Sequence, residues 1–398
     1  MAPKNNYLAL AAQLNGNLKL NKVIIITTQC FFPEIGGIEA LVTGMADSMS
    51  ILEKVIVIAD GKSTSSDSKN KYEIIRFNDW KPIRRIRKSN YIKRLCKDNN
   101  IKAIYADSWK SIEYLSKINT PIFVLAHGTE IQKKISTWNL HKYWKQKRIQ
   151  KSYKNSSKIA ANSAYTKELI INSLRIDSDK VKVIHPGIDI YDSFIDSSTT
   201  IKIKNLINSS SPVLLTLARL EHRKGHIDIL EALSRLISKY PNLLYFIAGD
   251  GNFKKTIKNK VSQLGLKENV KFLGWVTEPE KSVLLKNTDL FIMTPHIEKE
   301  SVEGFGMVFI DAAFHGIATL GTDNGGISDA IINGKTGLIA KTSDLNDITS
   351  KIDELLSDKT KRIKLGLAGQ KNAYARFTWD KKVLEYLNLI KDSGSYRL

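Results

Sequence analysis

The chain has 398 residues, 42% hydrophobic and 25% charged, with 61 Lys and Arg against 40 Asp and Glu for a net charge of +21. That apolar content excludes an intrinsically disordered chain, and no run approaches the ~18 consecutive apolar residues of a membrane-spanning helix. Cys30 and Cys96 are too few for a disulfide framework and form no metal-ligand cluster with the seven histidines, so a reducing compartment is expected.

Length alone suggests two domains. Residues 1–20 read as an N-terminal extension, because apolar Tyr7 to Ala12 is followed at once by Gln13, Asn15 and Asn17 and is too short for a signal-peptide core. A strand at Lys22 to Thr28, a glycine loop ending at Gly36-Gly37 and a helix over Ile38 to Met49 come next. Further β-branched runs at 54–59, 101–106, 121–126, 158–161 and 182–184 alternate with helical or loop segments, the pattern of a parallel sheet covered on both faces. Serine-rich residues 191–212 interrupt this rhythm, and 196–211 are expected to link two domains. A second series of strands begins at 213–217 and continues at 243–248, 270–273, 290–293 and 317–321, with helices such as Ile227 to Leu236 between them. The expected fold class is therefore α/β, two Rossmann-like doubly wound parallel-sheet domains over 21–195 and 212–376, with ligand outside the carboxyl ends of the strands. Residues 377–398 open on Phe377-Thr378-Trp379-Asp380 and continue as an amphipathic helix.

Charge is uneven. Residues 1–200 carry 32 basic and 18 acidic residues, a net +14, which leaves +7 for the rest. Two stretches, 81–97 with eight basic residues and 133–158 with nine, contain no acids and are interleaved with aromatic and aliphatic side chains. Such stretches fit an anionic membrane surface or a phosphate-rich partner; a solvated lysine-rich surface is the plainer alternative.

Three motifs could carry chemistry. Gly36 and Gly37 lie between a strand and a helix, where backbone amides can approach a ligand oxygen, although a simple turn would look the same. Arg219 and Lys224 follow the first strand of the second half, where two cations suit a diphosphate. In Glu303-Gly304-Phe305-Gly306-Met307-Val308-Phe309-Ile310-Asp311, glycines open a helix entrance and two carboxylates eight residues apart could each read a pair of hydroxyls. No carboxylate pair suits double displacement, and the sole Asp-x-Asp, Asp177-Ser178-Asp179, reads as a surface turn.

In combination these motifs resemble the retaining glycosyltransferases of family 4, which have the type B glycosyltransferase (GT-B) fold, two Rossmann-like domains facing a central cleft. Gly325-Gly326, His127-Gly128, Ala161-Asn162-Ser163, His185-Pro186-Gly187, Ala248-Gly249-Asp250-Gly251 and Asn333-Gly334-Lys335-Thr336-Gly337 support the resemblance across residues 22 to 385. It implies a catalytic set of His127, Arg219, Lys224 and Glu303. It also implies a donor-binding set of Gly36, Gly37, Gly304, Phe305, Gly306, Met307, Val308 and Asp311. Glu303 would contact the donor sugar, Asp311 the ribose, Arg219 and Lys224 the diphosphate, and His127 would lie beside the sugar. Asp311 stands where the family usually has Glu, which implies tuned affinity rather than lost activity. The first domain would bind the acceptor, the second the nucleotide sugar, and helix 377–398 would cross back to the first domain. Residues 301–306 are similar to mannosyltransferase members, pointing to GDP-mannose.

The expected function is thus retaining transfer of a sugar, from a GDP-mannose or UDP-hexose type donor to a saccharide or lipid-linked acceptor in polysaccharide or glycolipid biosynthesis. No metal and no cofactor beyond the nucleotide-sugar co-substrate are expected. A cytoplasmic place, peripheral at the inner membrane face through residues 81–97 and 133–158, goes with it. A nucleotide-sugar 2-epimerase of similar fold is the alternative, and a basic nucleic-acid-binding protein the non-enzymatic one, although no nucleic-acid recognition module is visible.

Overall fold

The computed structural model describes residues 22–34, 36–98, 100–116, 118–131, 140–189, 197–298 and 301–393. The expected N-terminal extension lies outside the described residues, as do positions 133–139 of the second basic stretch and 191–196 of the serine-rich stretch. Contacts divide the chain into two compact units, one of Met1–Asp189 with Phe377–Leu398 and one of Ile190–Arg376.

The first unit runs β1 (Val23–Thr28), α1 (Gly37–Leu52), β2 (Lys54–Asp60), β3 (Glu73–Phe77), α2 (Lys81–Asp98), β4 (Ile101–Ala106), α3 (Trp109–Ile112), β5 (Ile122–Ala126), α4 (Leu140–Asn155), β6 (Lys158–Ala161), α5 (Ala164–Leu174) and β7 (Val181–Val183). Its seven strands are all parallel in the order β3-β2-β1-β4-β5-β6-β7. Strand periodicity divides the apolar runs between two faces. Ile25, Ile58, Ile104 and Val124 pack with Ile92, Trp109 and Ile149 of α2, α3 and α4 on one side. Ile24, Ile26, Val57, Tyr105 and Phe123 pack with α1 on the other.

The second unit runs α6 (Ser197–Ile207), β8 (Val213–Leu217), α7 (His226–Leu236), β9 (Leu244–Ala248), α8 (Lys254–Gln263), β10 (Val270–Gly274), α9 (Glu278–Lys286), β11 (Leu290–Ile292), α10 (Met307–Phe314), β12 (Ala318–Thr322), α11 (Ile327–Ala330), β13 (Leu338–Ala340), α12 (Leu345–Ser357) and α13 (Lys359–Arg376). Its six parallel strands are ordered β10-β9-β8-β11-β12-β13. The final helix, α14 (Trp379–Asp392), packs on α1 of the first unit. Its Trp379 ring occupies space that only glycines leave open: a Cβ on Gly44 would fall 2.3 Å from the ring, and one on Gly187 2.4 Å.

The structure adds three elements to the expected ones. Strand β3 (EIIRF) is half-buried at a sheet edge with charges near both ends, and β13 is three residues long, so neither makes a long apolar run. Positions 197–207 of the expected linker are helix α6, which rests on α9 and pairs Lys202 with Glu280 at 3.0 Å. Among the described residues no helix is long and apolar enough to cross a membrane.

Candidate functional site

In the second unit Lys224, Arg223 and the Gly325-Gly326 pair meet at Glu303. After β8 the chain makes a short helical turn, His222–Lys224, and Gly225 reverses it at φ 78°. A Cβ there would fall 1.9 Å from the Thr294 carbonyl, so only glycine lets this turn pass so close to the segment after β11. Thr294 Oγ1 donates to the Gly225 carbonyl at 2.9 Å and His296 N to the Arg223 carbonyl at 2.9 Å, binding the two segments together. The imidazoles of His296 and His222 add a third link, Nε2 to Nδ1 at 3.1 Å.

The result is a close ionic group. Lys224 Nζ donates to Glu303 Oε2 at 2.6 Å and Arg223 Nη1 to the same oxygen at 3.3 Å, while Arg223 Nε donates to Glu221 Oε2 at 2.9 Å. The Lys224 and Glu303 side chains are 11% and 16% exposed. Burial raises the pKa of the Glu303 carboxyl, but Lys224 and Arg223 together outweigh it and hold the group below the usual carboxylate range. Gly325 and Gly326 fix its backbone: Gly326 N donates to the Glu303 carbonyl at 2.9 Å, and a Cβ on Gly325 would fall 2.2 Å from that oxygen.

Glu303 stands before α10, whose N-cap is Gly306 at φ 86°. Gly304, Phe305 and Gly306 are buried, whereas Met307 and Val308, the first residues of the helix, are half-buried. Their amides have no carbonyl within the helix to reach, so this end carries partial positive charge. Asp311 follows one turn into α10, with Lys281 Nζ 3.7 Å from Oδ2. Burial raises its carboxyl pKa against the pull of Lys281, so the two motif carboxylates are shifted in opposite directions.

Sequence reasoning did not single out Arg223, which sits between the two cations it chose. The sequence expectation pairs Lys224 with Arg219, yet here the Arg219 side chain is 66% exposed and bonds Glu221 at 3.2 Å, away from Glu303. Neighbouring His226 is buried, and neither ring nitrogen has a hydrogen-bond partner among the described residues. Burial, then Lys224, pushes its pKa down to about 4, so the ring is neutral at physiological pH.

In the first unit Gly36 caps α1 and Gly37 begins it. His127 follows β5, and its Nε2 lies 2.8 Å from the Asp107 carbonyl. A carbonyl can only accept, so Nε2 is the donor in this contact. The Asp107 side chain, passed over in the sequence, takes bonds from Thr28 Oγ1 at 2.9 Å, Gln29 N at 2.8 Å and Ser111 Oγ at 2.6 Å. Cys30 beside it is held as a thiol, its pKa pushed up to about 12 by burial and then by Asp107. Asp179 lies in a short turn, Ser178–Lys180, and its carbonyl accepts from Lys158.

Comparisons with known proteins give the same division of the chain. The model described as Glycosyltransferase Family 4 matches residues 35–191, and that described as Glycosyl transferases group 1 matches residues 197–372. A GDP-mannose-dependent alpha-(1-6)-phosphatidylinositol monomannoside mannosyltransferase of Mycolicibacterium smegmatis is 29% identical over 42% of this chain and 44% of its own length. A GDP-mannose-dependent monoacylated alpha-(1-6)-phosphatidylinositol monomannoside mannosyltransferase of Corynebacterium glutamicum is 28% identical over 46% and 48%. The chain thus spans about half the length of these curated relatives. Among solved structures, Anabaena HepE in complex with UDP and glucose superposes with a TM-score of 0.75 at 20% identity, covering 92% of this chain and 99% of that one. A glycosyltransferase from Rickettsia africae gives 0.75 at 19% identity, covering 95% and 100%. These likenesses carry the fold, and the family models between them reach from residue 35 to residue 372: the chain belongs to glycosyltransferase family 4 and has the GT-B fold.

Proposed function

We propose that this protein transfers a sugar from a nucleotide-sugar donor to a saccharide or lipid-linked acceptor, with retention at the anomeric carbon and without a metal. The observation that carries the reading is the buried group of Lys224, Arg223 and Glu303 before the N-terminus of α10. Two cations and a helix dipole can take up the negative charge that grows on a leaving diphosphate, and they cost no reorganisation as it departs. Glu303, kept ionised and fixed at side chain and backbone, is assigned to the hydroxyls of the donor sugar and Asp311 to the ribose, as the family resemblance implies. Arg219, on the same segment as Lys224, is assigned to the diphosphate once donor is bound. His127 is assigned to the sugar, and Gly36 and Gly37 to the donor, by the family resemblance.

In the reaction the acceptor hydroxyl attacks the anomeric carbon from the face on which the nucleoside diphosphate leaves. The carbon–oxygen bond to the diphosphate breaks, the new glycosidic bond forms, and a departing phosphate oxygen takes the acceptor proton. The nucleotide is of the GDP or UDP type: the two mannosyltransferase relatives are described as GDP-mannose-dependent, whereas HepE was crystallised with UDP. The curated relatives above are transferases, which favours transfer over epimerisation.

A thermal-shift screen against UDP, GDP, ADP and their sugar nucleotides, with and without EDTA, tests this reading. A selective rise that survives EDTA is the expected result. A folded sample whose melting temperature no nucleotide moves would overturn the donor site.

A further inference from the structure

The basic stretches of the first unit are not uniform faces. On α2, Arg84 forms an ion pair with Asp60 at 2.8 Å, and Lys88, buried, donates to Asp60 at 2.8 Å and to the Thr28 carbonyl at 2.6 Å. Those two cations serve the sheet. The outward face of α2 is formed instead by Ile83, Ile86, Arg87, Asn90, Arg94 and Lys97, at helical spacing, with Trp80 one turn before them. On α4 the corresponding exposed face is Leu140, Trp144, Lys147, Arg148 and Lys151. In both helices the large apolar side chains lie in the first two turns, with Lys81 and Lys142 among them and most of the exposed cations after them.

The two faces are neighbours. Glu113, just past α3, accepts from Arg85 of α2 and from Arg148 of α4, and all three helices cover the same side of the sheet. Each of α2 and α4 follows a parallel strand, so both begin at the carboxyl edge of that sheet. The apolar side chains therefore project from one edge of the unit, with a basic zone behind them.

Trp80 is 74% exposed and Trp144 62%, whereas Trp109 and Trp379 of the same unit are buried in its core. Two exposed indoles, with Ile83, Ile86 and Leu140, leave large apolar side chains uncovered on the outward faces of both helices. Across both helices the only acidic residue is Asp98; Asp79 and Glu113, which flank them, pair with Arg87 and Arg148, so the rim is predominantly basic. Tryptophan at the polar boundary and lysine or arginine around it match the chemistry of an anionic lipid surface. Nucleic acid would use the cations and leave Ile83, Ile86 and Leu140 without a partner.

We propose that the outward faces of α2 and α4 together dock this protein on an anionic lipid bilayer. Trp80, Ile83, Ile86, Leu140 and Trp144 enter the headgroup boundary, and the cations behind them contact lipid phosphates. The proposal does not depend on the donor reading.

Co-sedimentation of the full chain with vesicles of phosphatidylcholine, with and without phosphatidylglycerol, is the test. Binding is expected only with phosphatidylglycerol, and W80S/W144S is expected to lose it while melting as the parent does. Arg94→Gln and Lys147→Gln should each weaken it about fivefold at low salt, the effect of one cation near a charged membrane. Equal binding to both vesicles, none to either, or full binding by W80S/W144S would overturn the proposal. So would duplex DNA that displaces the vesicles and binds W80S/W144S undiminished, because the face would then serve nucleic acid.

Discussion

Lys224 and Glu303, 79 positions apart in sequence, meet at 2.6 Å with little solvent around either, and Arg223 reaches the same carboxylate oxygen. The contact is both a structural pair and the core of the proposed donor site, so its removal separates stability from activity. Glu303→Ala and Lys224→Ala are each expected to lower transfer by about 10²–10³-fold, the range for losing a charge-stabilising group at a reacting centre. Circular dichroism should show the parent fold in both, and full activity in either variant would refute the assignment. Arg223→Ala should fall between these and the parent.

The same pair sets an acid dependence. The folded pKa of Glu303 lies below its unfolded value, so its contribution to stability is complete above the unfolded pKa and is lost as pH falls through the folded one. Lys224→Ala removes the largest downward influence, and the acid unfolding transition of that variant should move to higher pH. Melting temperatures between pH 3 and 7, roughly the range spanning the carboxylate values, measure this.

Asp311 is expected to behave in the opposite sense. Its pKa is raised by burial, so the ionised carboxylate costs stability at neutral pH, and the cost disappears as pH falls below the folded value. Asp311→Asn should raise the neutral melting temperature while weakening nucleotide binding. Asp311→Glu should change the nucleotide Kd without abolishing binding. A neutral melting temperature lowered by Asp311→Asn would contradict the assignment of burial as the dominant cause.

His226 supplies a separate pH response. Its folded pKa of about 4 lies below the ordinary 6.5, so the unfolded chain binds the proton more readily and stability falls as pH drops from 6.5 towards 4. The full effect is on the order of 3 kcal/mol. Both ring nitrogens lack partners among the described residues, so His226→Leu leaves no donor unsatisfied and should flatten the melting profile in this window.

Trp379 anchors the last helix. The ring lies against Gly44 of α1 and against Gly187, where added Cβ atoms would come within 2.3 and 2.4 Å. Trp379→Ala should cost about 3–5 kcal/mol, as for a large aromatic removed from a core. Gly44→Ala should destabilise by a smaller amount, by displacing the same ring. A double variant that loses less than the sum of the two would show that both act through this one contact.

Most of the architecture was legible because parallel strands buried on both faces are written as unbroken β-branched runs. VIIITT, IKAIYA and VLLTL announce β1, β4 and β8 with no help from context. Edge strand β3 was not, since EIIRF is half-buried and flanked by charge, and β13 is too short for periodicity to register. The polar composition of residues 197–207 hid α6, whose Ile203 finds cover only when the unit folds.

For the proposed site, the sequence by itself marked out the segments assigned to it: the turn after β8, the glycines around Glu303, and the carboxylate eight residues further on. Those choices are local, because glycine conformations and helix entrances depend on residues adjacent in the chain. Which cation of Arg219, Arg223 and Lys224 would face Glu303 was decided only by tertiary structure, through the Gly225 reversal and the close passage of Thr294. The same holds on α2. Composition makes Arg84 and Lys88 part of a basic stretch like any other, and only the approach of Asp60 from β2 turns those two cations inward. That approach leaves Trp80, Ile83 and Ile86 on the outer surface. Distances between residues far apart in sequence are set by packing, and packing is what a linear pattern does not contain.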